Sequence, residues 1–150
     1  MRYKMWLSLA TLIVSLVSGT AVAQSIKAIK VTFATTSDDK DWNTQVRDRI
    51  VLNGQDVATL FCCSADHNGD HWPDHGTTSA PMQIVNSVSK NDLHSATFVA
   101  GMTAVGHDTW IFIPTVTVTY SDGTEEQWTF PETTLSSNNS YEHHDYSMAK

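Results

Sequence analysis

Two stretches of this chain hold the residue types that could do chemistry, and both point to ion binding rather than to catalysis. The first is Thr36-Ser37-Asp38-Asp39-Lys40-Asp41-Trp42-Asn43-Thr44. Asp38, Asp39, Asp41 and Asn43 place three carboxylates and an amide within six residues, and such hard oxygen donors are what calcium selects. A solvated turn without an ion is the alternative. Trp42 stands in the middle of this polar run. An indole there either folds back onto the domain edge or is presented outward, and its amphipathic ring suits a lipid interface or a protein contact.

The second stretch is Asp66-His67-Asn68-Gly69-Asp70-His71-Trp72-Pro73-Asp74-His75. Asp66, Asn68 and Asp70 have the one, three, five spacing that opens an EF-hand calcium loop. The match then stops: Gly69 comes two places early, His71 fills the glycine slot, and Thr77 stands where a bidentate Glu belongs. An Asx-rich turn is the plainer reading. His67, His71 and His75 recur every fourth residue, but Gly69 and Pro73 oppose a helix that would stack them. A loop could still converge them, with Asp66, Asn68, Asp70 and Asp74, on zinc or copper, the alternative to calcium. Exposed loop histidines are the commoner state.

Catalytic signatures are missing from the sequence. There is no nucleophile elbow and no metalloprotease His-Glu pair, and the Gly101 to Gly106 spacing lacks the lysine of a phosphate loop. The chain reads as a non-enzyme.

These stretches need a scaffold, and composition bounds it. The 150 residues carry 9 Lys plus Arg against 16 Asp plus Glu. Arg2 and Lys4 precede an apolar run over residues 6–17 and small residues ending Ala21-Val22-Ala23, the order of a secretory signal peptide. Cleavage after Ala23 would remove two bases and no acid, leaving 7 against 16 and a net charge of -9. Gln24 stands where a lipoprotein would have its cysteine. No later apolar run approaches the ~18 to 20 residues of a membrane helix. A secreted protein, extracellular or periplasmic, is expected. Its negative charge opposes nucleic acid and anionic lipid unless a cation intervenes.

Cys62 and Cys63, the only cysteines, are adjacent. Three states remain open for them: a buried reduced pair, a strained vicinal disulfide, or an intermolecular link.

Ile29, Val31 and Phe33 alternate with Lys30 and Thr32, the period of two of a half-buried strand. The alternation returns over residues 46–52, 57–62, 82–85, 97–100 and 110–120, with threonines on the wet face of the last. Asn53-Gly54 and Asp122-Gly123 are hairpin corners. The pattern predicts an all-β fold, a single antiparallel β-sandwich of about seven to eight short strands over residues 24–135. From residue 136 to 150, Ser, Asn, Glu and His replace aliphatics, which predicts a flexible polar tail. Within it Asn138-Asn139-Ser140 has the form of a glycosylation sequon.

Two stretches together resemble a PLAT domain, the β-sandwich module of polycystins, lipoxygenases and some lipases and toxins. One is Val31-Thr32-Phe33-Ala34-Thr35-Thr36, the acidic loop, and Thr44-Gln45-Val46 leading to Leu52-Asn53-Gly54. The other is the run from Trp110 through Val116-Thr117-Val118, the turn Ser121-Asp122-Gly123, and Trp128-Thr129-Phe130-Pro131. The resemblance covers about half of the chain beyond residue 23 and leaves residues 59–94 outside it. It implies weak calcium binding at Asp38, Asp39, Asp41 and Asn43, with Asp108 approaching the same end of the sandwich. It also implies contact with a lipid surface or protein partner by apolar residues beside the ion, here Trp42. Ser37, Asp41 and Asn43 replace glycines usual in the family, although Asn and Asp tolerate left-handed backbone better than other residues.

Overall fold

The computed structural model describes residues 24–62 and 72–150. Residues 1–23, where a signal peptide is expected, and residues 63–71 lie outside the described residues.

Nine strands and one short helix follow in order: β1 (Ile26–Asp38), β2 (Thr44–Leu52), β3 (Gln55–Cys62), β4 (Thr77–Ile84), α1 (Lys90–Leu93), β5 (Thr97–Ala104), β6 (His107–Tyr120), β7 (Glu125–Thr129), β8 (Thr133–Asn138) and β9 (Tyr141–Ser147). All pairings are antiparallel, along the path β7-β6-β1-β4-β3-β2-β5-β9, with β8 also on β6. β4 turns the path into two layers. Its residues 77–82 pair with β1, whereas Gln83 and Ile84 pair with β3. The first layer is thus β7 and β8 beside β6, β1 and β4; the second is β3, β2, β5 and β9. An all-β sandwich is the fold that the alternating pattern predicts.

Alternation holds in β1 and in β6 apart from the buried Thr117, but fails in β5, where residues 98–102 are all buried because both faces of that strand are covered. Ile29, Val31 and Phe33 of β1 are buried, as are Trp110, Phe112, Val116, Val118 and Tyr120 of β6. Asn53 (φ 51°) and Gly54 (φ 77°) both take the left-handed backbone that a tight two-residue hairpin demands. β4 starts five residues before the predicted 82, because Thr77, Thr78 and Ser79 carry no apolar signal yet complete the ladder to β1.

Two aromatic clusters fill the space between the layers. Phe33 meets Trp72, Trp110 and Phe112 at centroid distances of 5.1, 5.0 and 5.6 Å. The Trp110 indole N–H donates to the Thr35 hydroxyl at 3.1 Å, so burial leaves it no unpaired donor. In the second cluster Tyr146 stacks on Phe98 and Phe130 at 6.0 and 4.7 Å.

Tyr146 belongs to the segment read as a flexible tail, and that reading is corrected. Residues 133–138 form β8 on β6, and residues 141–147 form β9, which pairs with β5 from Thr97↔Ser147 to Thr103↔Tyr141. The segment supplies only two large apolar anchors, Tyr146 and Met148, on an edge strand whose other side chains face water. Composition therefore resembles that of disorder. With these two strands the described residues form nine, next to the expected seven to eight.

A charged knot secures the same end. The Glu126 carboxylate accepts from the Tyr120 hydroxyl at 2.7 Å and lies 3.0 Å from His94 Nε2 and 3.3 Å from Lys90 Nζ. Burial alone would raise its pKa, but these bonds and the Lys150 charge outweigh it and hold the group down at about 2.

Candidate functional site

The acidic loop leaves β1 where its ladder to β6 breaks register: Thr35 opposes Phe112, and Asp38 opposes Ile111. Residues 36 and 37 are both extra on the β1 side, a bulge of two residues that turns the chain outward. It returns at Thr44, whose N–H donates to the Asp41 carbonyl at 3.1 Å.

Lys40 is the side chain around which the loop closes, and it is fully buried. Its ammonium donates to the Asp41 carbonyl at 2.9 Å and the Thr44 carbonyl at 3.1 Å, and lies 5.2 Å from the Trp72 ring centroid. The backbones of Lys40 and Trp72 exchange both hydrogen bonds, at 3.1 and 3.2 Å. A cation seated between carbonyl oxygens and an indole face is well satisfied despite its burial. Sequence reasoning passed over Lys40 because a lysine among aspartates looks like a surface charge.

Asp108, at the start of β6, does reach this loop. Its carboxylate accepts from the Thr44 hydroxyl and, at 3.3 Å, from the Asp41 N–H. Burial pushes its carboxyl above the usual carboxylate range, against the pull of those bonds. Asn43 clamps the other flank: its side-chain N–H donates to the Val105 carbonyl at 2.6 Å, and its own carbonyl accepts from the Val105 N–H at 3.4 Å.

Asp38, Asp39, Asp41 and Asn43 are half-buried, and with Asp108 they border one loop. As a calcium cage the donor set fits poorly. The Asp41 and Thr44 carbonyls already hold an ammonium, and the Asp108 carboxylate is spent on Thr44 and Asp41. Asn43 Oδ1 is buried without a hydrogen bond, the feature that leans the other way. Among the described residues no three His, Cys, Asp or Glu side chains gather as metal ligands would.

Of the histidine stretch, Asp66, His67, Asn68, Asp70 and His71 lie outside the described residues. Asp74 and His75 are exposed in the turn after Trp72, with His75 at φ 54°. Trp72 itself is a core residue. Cys62 is disulfide-bonded, which removes the reduced pair from its possible states; Cys63 lies outside the described residues.

Trp42 is the large apolar side chain that this loop leaves exposed. It is 54% exposed, and Val105, held against Asn43 on the neighbouring β5-to-β6 turn, is 56% exposed. The two exposed apolar side chains stand on turns joined by the Asn43–Val105 hydrogen bonds, a rim beside the loop that Lys40, Asn43 and Asp108 tie down.

Lys40→Met is expected to show how much of that rigidity depends on the ammonium. The change keeps the chain length but strips two carbonyls of their donor, at about 1–3 kcal/mol each before relaxation and rehydration. Urea unfolding should give a loss of about 2–4 kcal/mol, with faster amide exchange at Thr44. An unchanged midpoint would mean that the loop closes without its lysine.

No family model matches the chain, and no curated protein or solved structure matches it.

Proposed function

We propose that this chain is a secreted, non-catalytic binding module, PLAT-like in kind, that contacts a lipid surface or a protein partner through Trp42 and Val105. The observation that carries the reading is the exposed indole on a loop held by buried bonds. A large apolar side chain left in water costs free energy that a partner surface would recover. Because the loop is already ordered, little conformational entropy remains to be lost on binding. The sequence resemblance supports the same end of the sandwich as the contact edge. Calcium takes a smaller part than the resemblance implies, since Lys40 already supplies a cation to the loop carbonyls.

Zwitterionic vesicles are the first probe, because the acidic chain is repelled by anionic ones. Trp42 emission should shift to the blue on binding, and Trp42→Ala with Val105→Ser should weaken binding by about tenfold or more, as loss of one buried anchor implies. Retained binding in the double variant would remove the rim from the reading. If vesicles leave Trp42 emission unchanged, the lipid arm falls and a protein partner remains. About 1 mM calcium, the range of extracellular modules, is expected to leave the thermal unfolding temperature where chelation leaves it. A clear rise would return the ion to the loop.

A further inference from the structure

The outer face of the second layer carries a second set of residues for which the rim has no use. Beyond Arg2 the chain has two arginines, Arg47 and Arg49, and both are exposed on the same face of β2. Alternate residues of a strand stand about 7 Å apart on one face. In a chain with this excess of acids, two guanidinium groups on one strand face concentrate positive charge, that of Arg49 being offset by Asp56.

Aromatic rings flank the pair. Phe61 lies directly across the ladder from Arg47, is 62% exposed, and has the guanidinium 5.1 Å from its ring centroid. On the other side Tyr141 of β9 reaches across β5, its hydroxyl 3.4 Å from the Arg47 carbonyl. Gly101 makes that reach possible, since a Cβ there would stand 2.6 Å from a Tyr141 ring carbon. His143 stacks on Tyr141 with centroids 5.2 Å apart and planes 10° from parallel. Arg47, Arg49 and Tyr141 line a recess of about 220 Å³.

Neither arginine is saturated. Arg47 donates to the Gln45 side chain at 3.0 Å, and Arg49 pairs with Asp56 at 3.5 Å and also hydrogen-bonds the Tyr141 hydroxyl. Each guanidinium has five N–H donors, so both keep donors for an oxyanion, and the planar fork matches a carboxylate. The aromatic wall is Tyr141, and Phe61 backs the Arg47 guanidinium from the β3 side. The volume falls below the ~300 Å³ at which drug-sized pockets begin, and suits one ring with its substituent.

We propose that this recess binds a carboxylate carried on a six-membered ring, with Arg47 and Arg49 holding the anion and Tyr141 lying against the ring. Such a group occurs on aromatic acids and on uronate sugars, and two probes separate these sources.

Backbone amide shifts of the full chain would be followed during titration with benzoate and, separately, with glucuronate; benzyl alcohol and glucose serve as neutral counterparts. Saturable shifts at Arg47, Arg49, Gly101 and Tyr141 are expected with at least one acid in the millimolar range, and about tenfold weaker binding in Arg47→Gln with Arg49→Gln. Benzoate alone would assign an aromatic acid, glucuronate alone a saccharide, and both the shared chemistry. The proposal is overturned if neither acid moves these amides, if the neutral counterparts bind as tightly, or if a folded double variant keeps wild-type affinity. The comparison of acid with neutral ring needs no variant, so it decides even if the double variant misfolds.

Discussion

Deleting residues 141–150 is expected to unfold the domain. The segment contributes β9, which covers β5 over seven residue pairs, from Thr97↔Ser147 to Thr103↔Tyr141. It also contributes two core side chains. Tyr146 lies on Phe98 and Phe130, and Met148 is fully buried. Met148 is fixed at both backbone groups: its N–H donates to the Ala96 carbonyl at 3.0 Å, and its carbonyl accepts from the Trp128 indole at 2.8 Å. Two buried side chains at about 1.5–3 kcal/mol each, an orphaned indole donor and a bare β5 edge together rival the ~5–15 kcal/mol that keeps a domain folded. Circular dichroism of the truncated chain should show loss of cooperative unfolding. Met148→Ala alone should cost about 2–5 kcal/mol. A truncated chain that unfolds cooperatively at the wild-type midpoint would restore the view of residues 136–150 as a dispensable tail.

Asp48→Asn is expected to stabilise the protein at alkaline pH. Asp48 points into the core from β2, almost wholly buried. The β2–β5 ladder has partners at residues 44–46 and 49–51, and at the gap the Asp48 carboxyl accepts the Gly101 N–H at 3.0 Å. Its second oxygen is buried without a partner. Burial is the larger influence and the Gly101 bond the smaller, so the pKa rises from its ordinary 3.8 to about 8.

The direction of the pH effect follows from linkage. Between pH ~4 and ~8 the folded state keeps a proton that the unfolded state has released, so stability falls as pH rises through that window. The limiting slope for one group is about 1.4 kcal/mol per pH unit. Asparagine can still accept from Gly101 but does not titrate, and its NH2 group places two N–H donors where the acid has one O–H. The difference in unfolding free energy between variant and wild type should therefore grow from pH ~5 to pH ~8, reaching a few kcal/mol. Urea unfolding at several pH values measures it, and parallel curves would show that Asp48 is ionised in the folded protein.

Asp48 also shows where reading the sequence stops. In Thr44-Gln45-Val46-Arg47-Asp48-Arg49-Ile50 the period of two is plain, and it assigns Asp48 to the inner face together with Val46 and Ile50. Whether a carboxyl is tolerated there depends on Gly101, more than fifty residues away. Lys40 and the paired arginines are alike in this respect. One is a buried cation because Trp72 and two loop carbonyls surround it; the others form a recess because Tyr141 lies flat on Gly101.

The sequence by itself determined the strands from β1 to β6, the hairpin corners at Asn53-Gly54 and Asp122-Gly123, and Trp42 as the unusual residue of its loop. These are local properties, set by side-chain alternation and backbone freedom over a few residues. The meeting of Asp108 with the acidic loop was legible only through resemblance. Tertiary structure alone decided that Lys40 closes that loop, that Asp48 is buried beside β5, and that the polar C-terminal segment is an edge strand. Each depends on desolvation and on partners distant in sequence, and two anchors such as Tyr146 and Met148 are enough to order a segment whose average composition resembles that of a free chain.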